Sequence, residues 1–207
     1  MNMNFLAHAY LSGDHPDVMV GNFIADHLPG NKFNHYRKGI IEGILLHRKI
    51  DSFTDQHPVF LTSRKRLQKN YHKYSGVIVD MFYDHFLAAG WSAYSTEDLR
   101  DFTSRNYAIL MQNFDILPAG TRRILPYMVE DDWLASYADL DFLQQSLQGM
   151  AIRTPYRSGM EKAVNDLRDH YESFHDDFHE FFPDLIRFTG GEVKKITDIN
   201  SRLRPGS

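Results

Sequence analysis

One stretch limits what this chain can fold into more than any other. Gly76-Val77-Ile78-Val79-Asp80-Met81-Phe82-Tyr83-Asp84-His85-Phe86-Leu87-Ala88-Ala89 is apolar on nearly every side when wound as a helix. A helix of that kind belongs at the centre of a fold, covered all round. Yet it carries Asp80, Asp84 and His85. Asp80 and Asp84 stand one turn apart on the same side. A buried carboxylate is costly unless it is paired or bound to metal. Two of them facing one cavity repel, and a divalent cation is the simplest relief. Salt bridges to Arg48, Arg64 or Arg66 are the alternative.

The rest of the chain also reads as helix. No alternating strand pattern lasts beyond about five residues, and Asn-Gly and Asp-Gly hairpin turns are absent. Eight prolines cut the 207 residues into helix-length pieces. The pattern predicts helices over 36–56, 58–74, 76–92, 96–114, 120–134, 139–151, 156–182 and 184–199, after one or two short helices with loops in the first 35 residues. In the 156–182 helix, Val164, Leu167, Tyr171, Phe174, Phe178 and Phe181 form one apolar stripe. Pro155 is read as its start and Pro183 as its stop. Ser95-Thr96-Glu97-Asp98 reads as an N-cap followed by first-turn acids. At 43% hydrophobic and 24% charged, the chain can bury a core without staples. The expectation is all-α: a compact multi-helix single domain over residues 1–207.

The chain has no Cys and eleven His. Disulfide frameworks, thiolate zinc sites and Cys nucleophiles are excluded. A metal site must then use His, Asp and Glu, a donor set suited to a divalent cation. The formal charge of -4 excludes a generally basic nucleic-acid coat. No run reaches about 18 apolar residues, so no membrane span is expected. The first residues lack the basic n-region and apolar run of a signal peptide, so a cytoplasmic location is expected.

Other polar residues interrupt apolar patterns. Within Gly39–Asp55, Ile40, Ile44, His47, Asp51 and Thr54 share one helical stripe, and Asp55 lies one turn beyond Asp51. A face that begins as core continues as ionisable groups, which builds either a polar pocket or a solvated His–Asp pair near a helix end. His8 sits in an apolar stretch, and Asp26 follows another just before Pro29-Gly30. His175-Asp176-Asp177-Phe178-His179 holds the chain's one His-Asp dipeptide, but Phe174 and Phe178 carry the core stripe, so the two His fall on a wet flank. Arg64, Lys65, Arg66, Lys69 and Lys73 form the strongest positive run, a solvated face or a dock for an acidic partner. The basic tail, Lys194, Lys195, Arg202 and Arg204, reads as solvated. There is no phosphate-binding Gly loop and no GxSxG.

Four ordered segments together resemble the acyl carrier protein phosphodiesterases. They are Asn4-Phe5-Leu6-Ala7-His8; Gly21-Asn22-Phe23-Ile24-Ala25-Asp26; Gly43-Ile44 through His47-Arg48-Lys49-Ile50-Asp51 with Thr54-Asp55; and Asp80 with Asp84-His85-Phe86-Leu87. The stretch Asp139 to Met150 is similar to that family too. The resemblance implies an all-α fold related to the HD phosphohydrolases. It implies hydrolysis of the phosphodiester that joins 4′-phosphopantetheine to the serine of holo-acyl carrier protein, with Mn²⁺ or Mg²⁺. The family's site would fall on His8, Asp26, His47, Asp51, Asp80, Asp84 and His85.

The expected division of labour puts Asp26, His47, Asp80 and Asp84 on the metal. Asp51 orients His47 or ligates directly, His8 or His85 protonates the leaving serine oxygen, and Arg48 and Lys49 hold the phosphate. The basic run from Arg64 to Lys73 docks the acidic carrier protein. Two rivals are a phosphohydrolase of a small phosphoester such as a nucleotide, and a non-enzymatic helical binding module.

Overall fold

The computed structural model describes residues 5–28, 30 and 32–202. Asn4 of the first motif, Pro29, Arg204 and Pro205 lie outside them. Every regular element among the described residues is helical. In chain order the α-helices are α1 (Phe5–Leu11), α2 (Pro16–Ile24), α3 (Lys38–Gln56), α4 (Pro58–Tyr71), α5 (Ser75–Ala89), α6 (Leu99–Gln112), α7 (Ala119–Glu130), α8 (Trp133–Ser136), α9 (Leu140–Arg153), α10 (Ala163–Asp169) and α11 (Tyr171–Arg202). None of them is long and apolar enough to cross a membrane.

Helix α5 is the axis, as its composition requires. Every residue from Ile78 to Ala88 is buried, and α1, α4, α8, α9 and α11 all pack against it. Local chemistry sets the ends of its neighbours. Pro58 occupies the first turn of α4, where the missing N–H costs nothing. Asp139 Oδ1 accepts the amides of Asp141 and Phe142 at 2.8 and 2.9 Å and starts α9. The cap before α6 is Asp98, not Ser95: Asp98 Oδ1 accepts from Arg100 N at 2.8 Å.

The last third departs from the expected pattern. Residues 156–182 are not one helix begun by Pro155. A loop with Gly159 at φ +74° precedes a 3-10 turn over Met160–Lys162, then α10 ends at Asp169, with His170 as its C-cap, and α11 begins. Pro183 does not stop α11 but lies inside it. A proline within a helix loses one hydrogen bond and costs about 3 kcal/mol. Here the apolar stripe continues on both sides of it, with Phe174, Phe178, Phe181, Phe182 and Leu185 all buried. Each such side chain gives about 1.5–3 kcal/mol, so burial outweighs the lost bond.

Helices α2 and α3 approach so closely that two positions have no space for a side chain. A Cβ on Gly21 would lie 2.0 Å from the Ile40 carbonyl oxygen, and one on Gly43 would lie 2.1 Å from that of Val18. Both obstacles are backbone and cannot swing aside. Gly76, by contrast, faces open space. Gly43→Ala is therefore expected to cost at least about 2 kcal/mol, lowering the melting temperature by roughly 4 °C or more. Gly76→Ala should leave it unchanged or raise it slightly. Thermal unfolding of the two variants side by side checks both.

Candidate active site

The site forms where α1, α2, α3 and α5 meet. Its organiser is Asn22, fully buried near the end of α2. The Asn22 amide nitrogen donates to the His8 carbonyl and to Ser12 Oγ, both at 2.9 Å. That fixes which way the amide points. Asn22 Oδ1 then faces His8 Nδ1 at 2.6 Å, and the Asn22 backbone oxygen faces His47 Nδ1 at 2.9 Å. Both oxygens only accept, so both rings donate from Nδ1 and turn Nε2 inward. The two imidazoles stack with centroids 4.1 Å apart and planes 21° apart.

Asp51, one turn along α3 from His47, bridges the pair. Its Oδ1 lies 3.3 Å from His8 Nε2 and its Oδ2 lies 3.2 Å from His47 Nε2. Asp26, in the 3-10 turn Ala25–His27, brings Oδ1 to 3.5 Å from His47 Nε2. Yet His8 Nε2, His47 Nε2 and Asp51 Oδ1 are buried atoms without a well-directed hydrogen bond. Ligand atoms of His8, His47 and Asp51 all lie within 4.8 Å of one another. Two inward imidazole lone pairs and facing carboxylates are the donors a divalent cation takes. The residues fit such an ion, and the three orphaned atoms are what it would satisfy.

Without an ion, the electrostatics favour a proton on His47 Nε2, which a bound cation would displace. Burial opposes charge on His47, but the carboxylates of Asp26 and Asp51 outweigh it and hold the imidazole up at about 9. Burial would raise the Asp51 carboxyl too, yet His47 and His8 keep it well below the usual carboxylate range. Burial, reinforced by His47, lowers His8, so its ring favours the neutral form that ligates. Asp80 is pushed far up, first by burial and then by Asp51, Asp55, Asp84 and Asp26, which all carry the same sign.

Of the residues expected in the site, His8, Asp26, His47 and Asp51 come together, and Asp80 lies within their field. Asp84 has a structural task. Its Oδ2 accepts Leu6 N at 3.0 Å and its Oδ1 accepts Ala7 N at 2.9 Å, so it caps α1 from the centre of the fold. Burial nonetheless raises this carboxyl to about 8, against those two amides. His85 has both ring nitrogens engaged elsewhere, at 2.9 Å from the Tyr137 carbonyl and 3.1 Å from the Tyr171 hydroxyl. Arg48 donates to the Gly30 carbonyl and sits over Phe33. Lys49 pairs with Glu192. In the basic run Lys65, Lys69 and Lys73 are exposed, Arg66 pairs with Asp177, and Arg64 is half-buried. His175 and His179 pair with each other on α11, Nε2 to Nε2 at 2.9 Å, and His179 is exposed. Asn22 is the residue that reading the sequence missed; its signal was one polar amide inside the apolar run from Val18 to Ala25.

Fold and site define an all-helical protein built around a buried histidine–aspartate centre with the donor set of a cation site. The chain belongs to the acyl carrier protein phosphodiesterase family, whose model matches residues 3–185. It is similar to the acyl carrier protein phosphodiesterase of Yersinia enterocolitica, 30% identical over 185 residues, covering 89% of this chain and 96% of that protein. The protein of that name from Salmonella agona is 33% identical over 188 residues, 89% of this chain and 96% of its own length. The one from Photorhabdus laumondii is 31% identical over 185 residues, 89% and 93%. No solved structure matches the chain, so the expected kinship with HD phosphohydrolases rests on the sequence resemblance, while the all-α class rests on the helices themselves.

Asp84→Ala removes the acceptor of two buried amides. It is expected to cost about 1–3 kcal/mol, a fall of roughly 3–10 °C in melting temperature, measured on the metal-free protein.

Proposed function

We propose that this chain hydrolyses the phosphodiester of holo-acyl carrier protein, releasing 4′-phosphopantetheine and apo-acyl carrier protein. The observation that carries the reading is the convergence of His8 Nε2, His47 Nε2 and Asp51 Oδ1, buried and unsatisfied, in a chain of this family. His8, His47 and Asp51 hold a divalent cation, Mn²⁺ or Mg²⁺, with Asp26 and Asp80 supplying further oxygens. When bound, the cation neutralises charge on a phosphoryl oxygen and makes a nearby water a better nucleophile at neutral pH.

The chain's own groups do the positioning. Asn22 locks both imidazoles in one tautomer and direction. Asp84 holds the start of α1, and with it His8, against α5. Arg48 ties α3 to the segment around Gly30 and Phe33, next along the chain from Asp26. Lys65, Lys69 and Lys73 are exposed positive charges on α4 and the turn after it, a sign that suits the acidic surface of the carrier protein.

The test is release of 4′-phosphopantetheine from holo-carrier protein by chelated protein, before and after Mn²⁺ is restored. Release with the cation and none without it is expected. Asp51→Ala should lower the rate by at least about a hundredfold and abolish the thermal stabilisation that Mn²⁺ gives the wild type. Turnover of nucleotides with no action on holo-carrier protein would replace this reading with the small-phosphoester one. No thermal shift with Mn²⁺ would leave a binding module.

A further inference from the structure

A cavity of about 660 Å³ opens between α3, α4, α5 and the end of α9. That volume lies in the range of sites for small organic ligands. Its residues sort into two zones. Val77, Met150 and Met160 are apolar, and Tyr74 and Tyr156 flank them. Arg64, Lys73 and Arg153, from three different elements, bring positive charge. Lys73 Nζ lies 4.7 Å from the centre of the Tyr156 ring, which makes that edge a cation–aromatic rim. The exposed faces of Tyr156 and Ile152, at 67% and 78%, continue the apolar surface outward.

The cavity adjoins the candidate site along two helices at once. Asp55 lines it and lies one turn from Asp51 on α3, about 6 Å along the axis. Val77 lines it and lies one turn from Asp80 on α5. Asp55 and Asp80 are close enough for their charges to act on each other. A group held between Asp51 and Asp80 therefore has this cavity as its neighbour. A second phosphate would meet the like charge of Asp55, so the side of the cavity nearest the candidate site suits an uncharged chain. Two methionines and two tyrosines can accommodate a long, flexible ligand that carries amides and a terminal thiol.

We infer that this cavity receives the pantetheine arm of the substrate: the phosphodiester stays beside Asp51, and the arm runs past Asp55 and Val77 onto Met150 and Met160. The inference rests on the phosphodiesterase reading and adds what selects the substrate. Arm binding places recognition in groups remote from the bond that breaks, so its energy appears in kcat/KM.

Gly76 gives a clean test. It lines the cavity, a Cβ there meets nothing within 4 Å, and its φ is not in the left-handed region. A side chain can start at Gly76 without forcing the backbone, and the ring of Gly76→Phe is expected to occupy the cavity. Two substrates are compared: carrier protein bearing the full phosphopantetheine arm, and carrier protein whose serine bears a short alkyl phosphodiester. Wild type should prefer the full arm by about tenfold or more in kcat/KM. Gly76→Phe should lose about that factor on the full arm, keep wild-type rates on the short one, and melt no lower. Equal wild-type rates on both substrates, or wild-type preference retained in Gly76→Phe, would overturn the inference. Release from neither substrate by wild type would instead bring down the phosphodiesterase reading beneath it.

Discussion

The grip of Asn22 on two histidines is the contact on which the rest of the site depends. One residue presents a side-chain oxygen to His8 and a backbone oxygen to His47, while its amide nitrogen holds α1 through the His8 carbonyl and Ser12. Three helices must meet at one point for this to occur. The approach of α2 to α3 is possible because Gly21 and Gly43 carry no Cβ. The position of α1 is set from the other side, by Asp84 of α5 at its first amides. With these constraints met, both Nε2 atoms aim at Asp51 with no rotamer freedom left to lose.

That arrangement explains how a core helix tolerates acids. Removing a carboxylate from water costs several kcal/mol unless something repays it. Asp84 is compensated only in part by two backbone amides, and burial still raises it to about 8. Asp80 has the harder case, because Asp26, Asp51, Asp55 and Asp84 all raise it. A proton relieves it at the expense of function. A divalent cation would relieve it together with the three unsatisfied atoms of His8, His47 and Asp51. One ion thus answers two separate deficits, one of charge and one of hydrogen bonding.

Much of this was readable in the sequence, for a definite reason. An ionisable residue on an apolar stripe contradicts its surroundings, and His47, Asp51, Asp80 and Asp84 all stand out that way. What periodicity does not carry is the partner. Asp84 breaks the pattern as conspicuously as Asp80, yet its carboxylate caps a helix 77 and 78 residues away in sequence. His85 likewise is buried with ring partners on distant elements. Asn22 was passed over because a single amide in an apolar run is a weak signal. The fold class followed from proline spacing and the lack of alternation, but proline misled at position 183. A rule about local hydrogen bonds was overridden there by five buried side chains along α11.

The charge layout also bears on how an acidic protein could approach an acidic pocket. The net charge of -4 conceals a separation. Carboxylates converge inside, at Asp26, Asp51 and Asp80, while Lys65, Lys69 and Lys73 stand outside on and just after α4. Exposed cations attract over about 8–10 Å at physiological salt, whereas buried charges act on what enters their own cavity. An acidic partner would therefore meet the positive face first. The anionic phosphodiester would meet the carboxylates last, where their repulsion stands unless a cation offsets it. Acids that would bind such an ion also make the site hostile to phosphate without it, so the same residues would both create a cofactor requirement and enforce it.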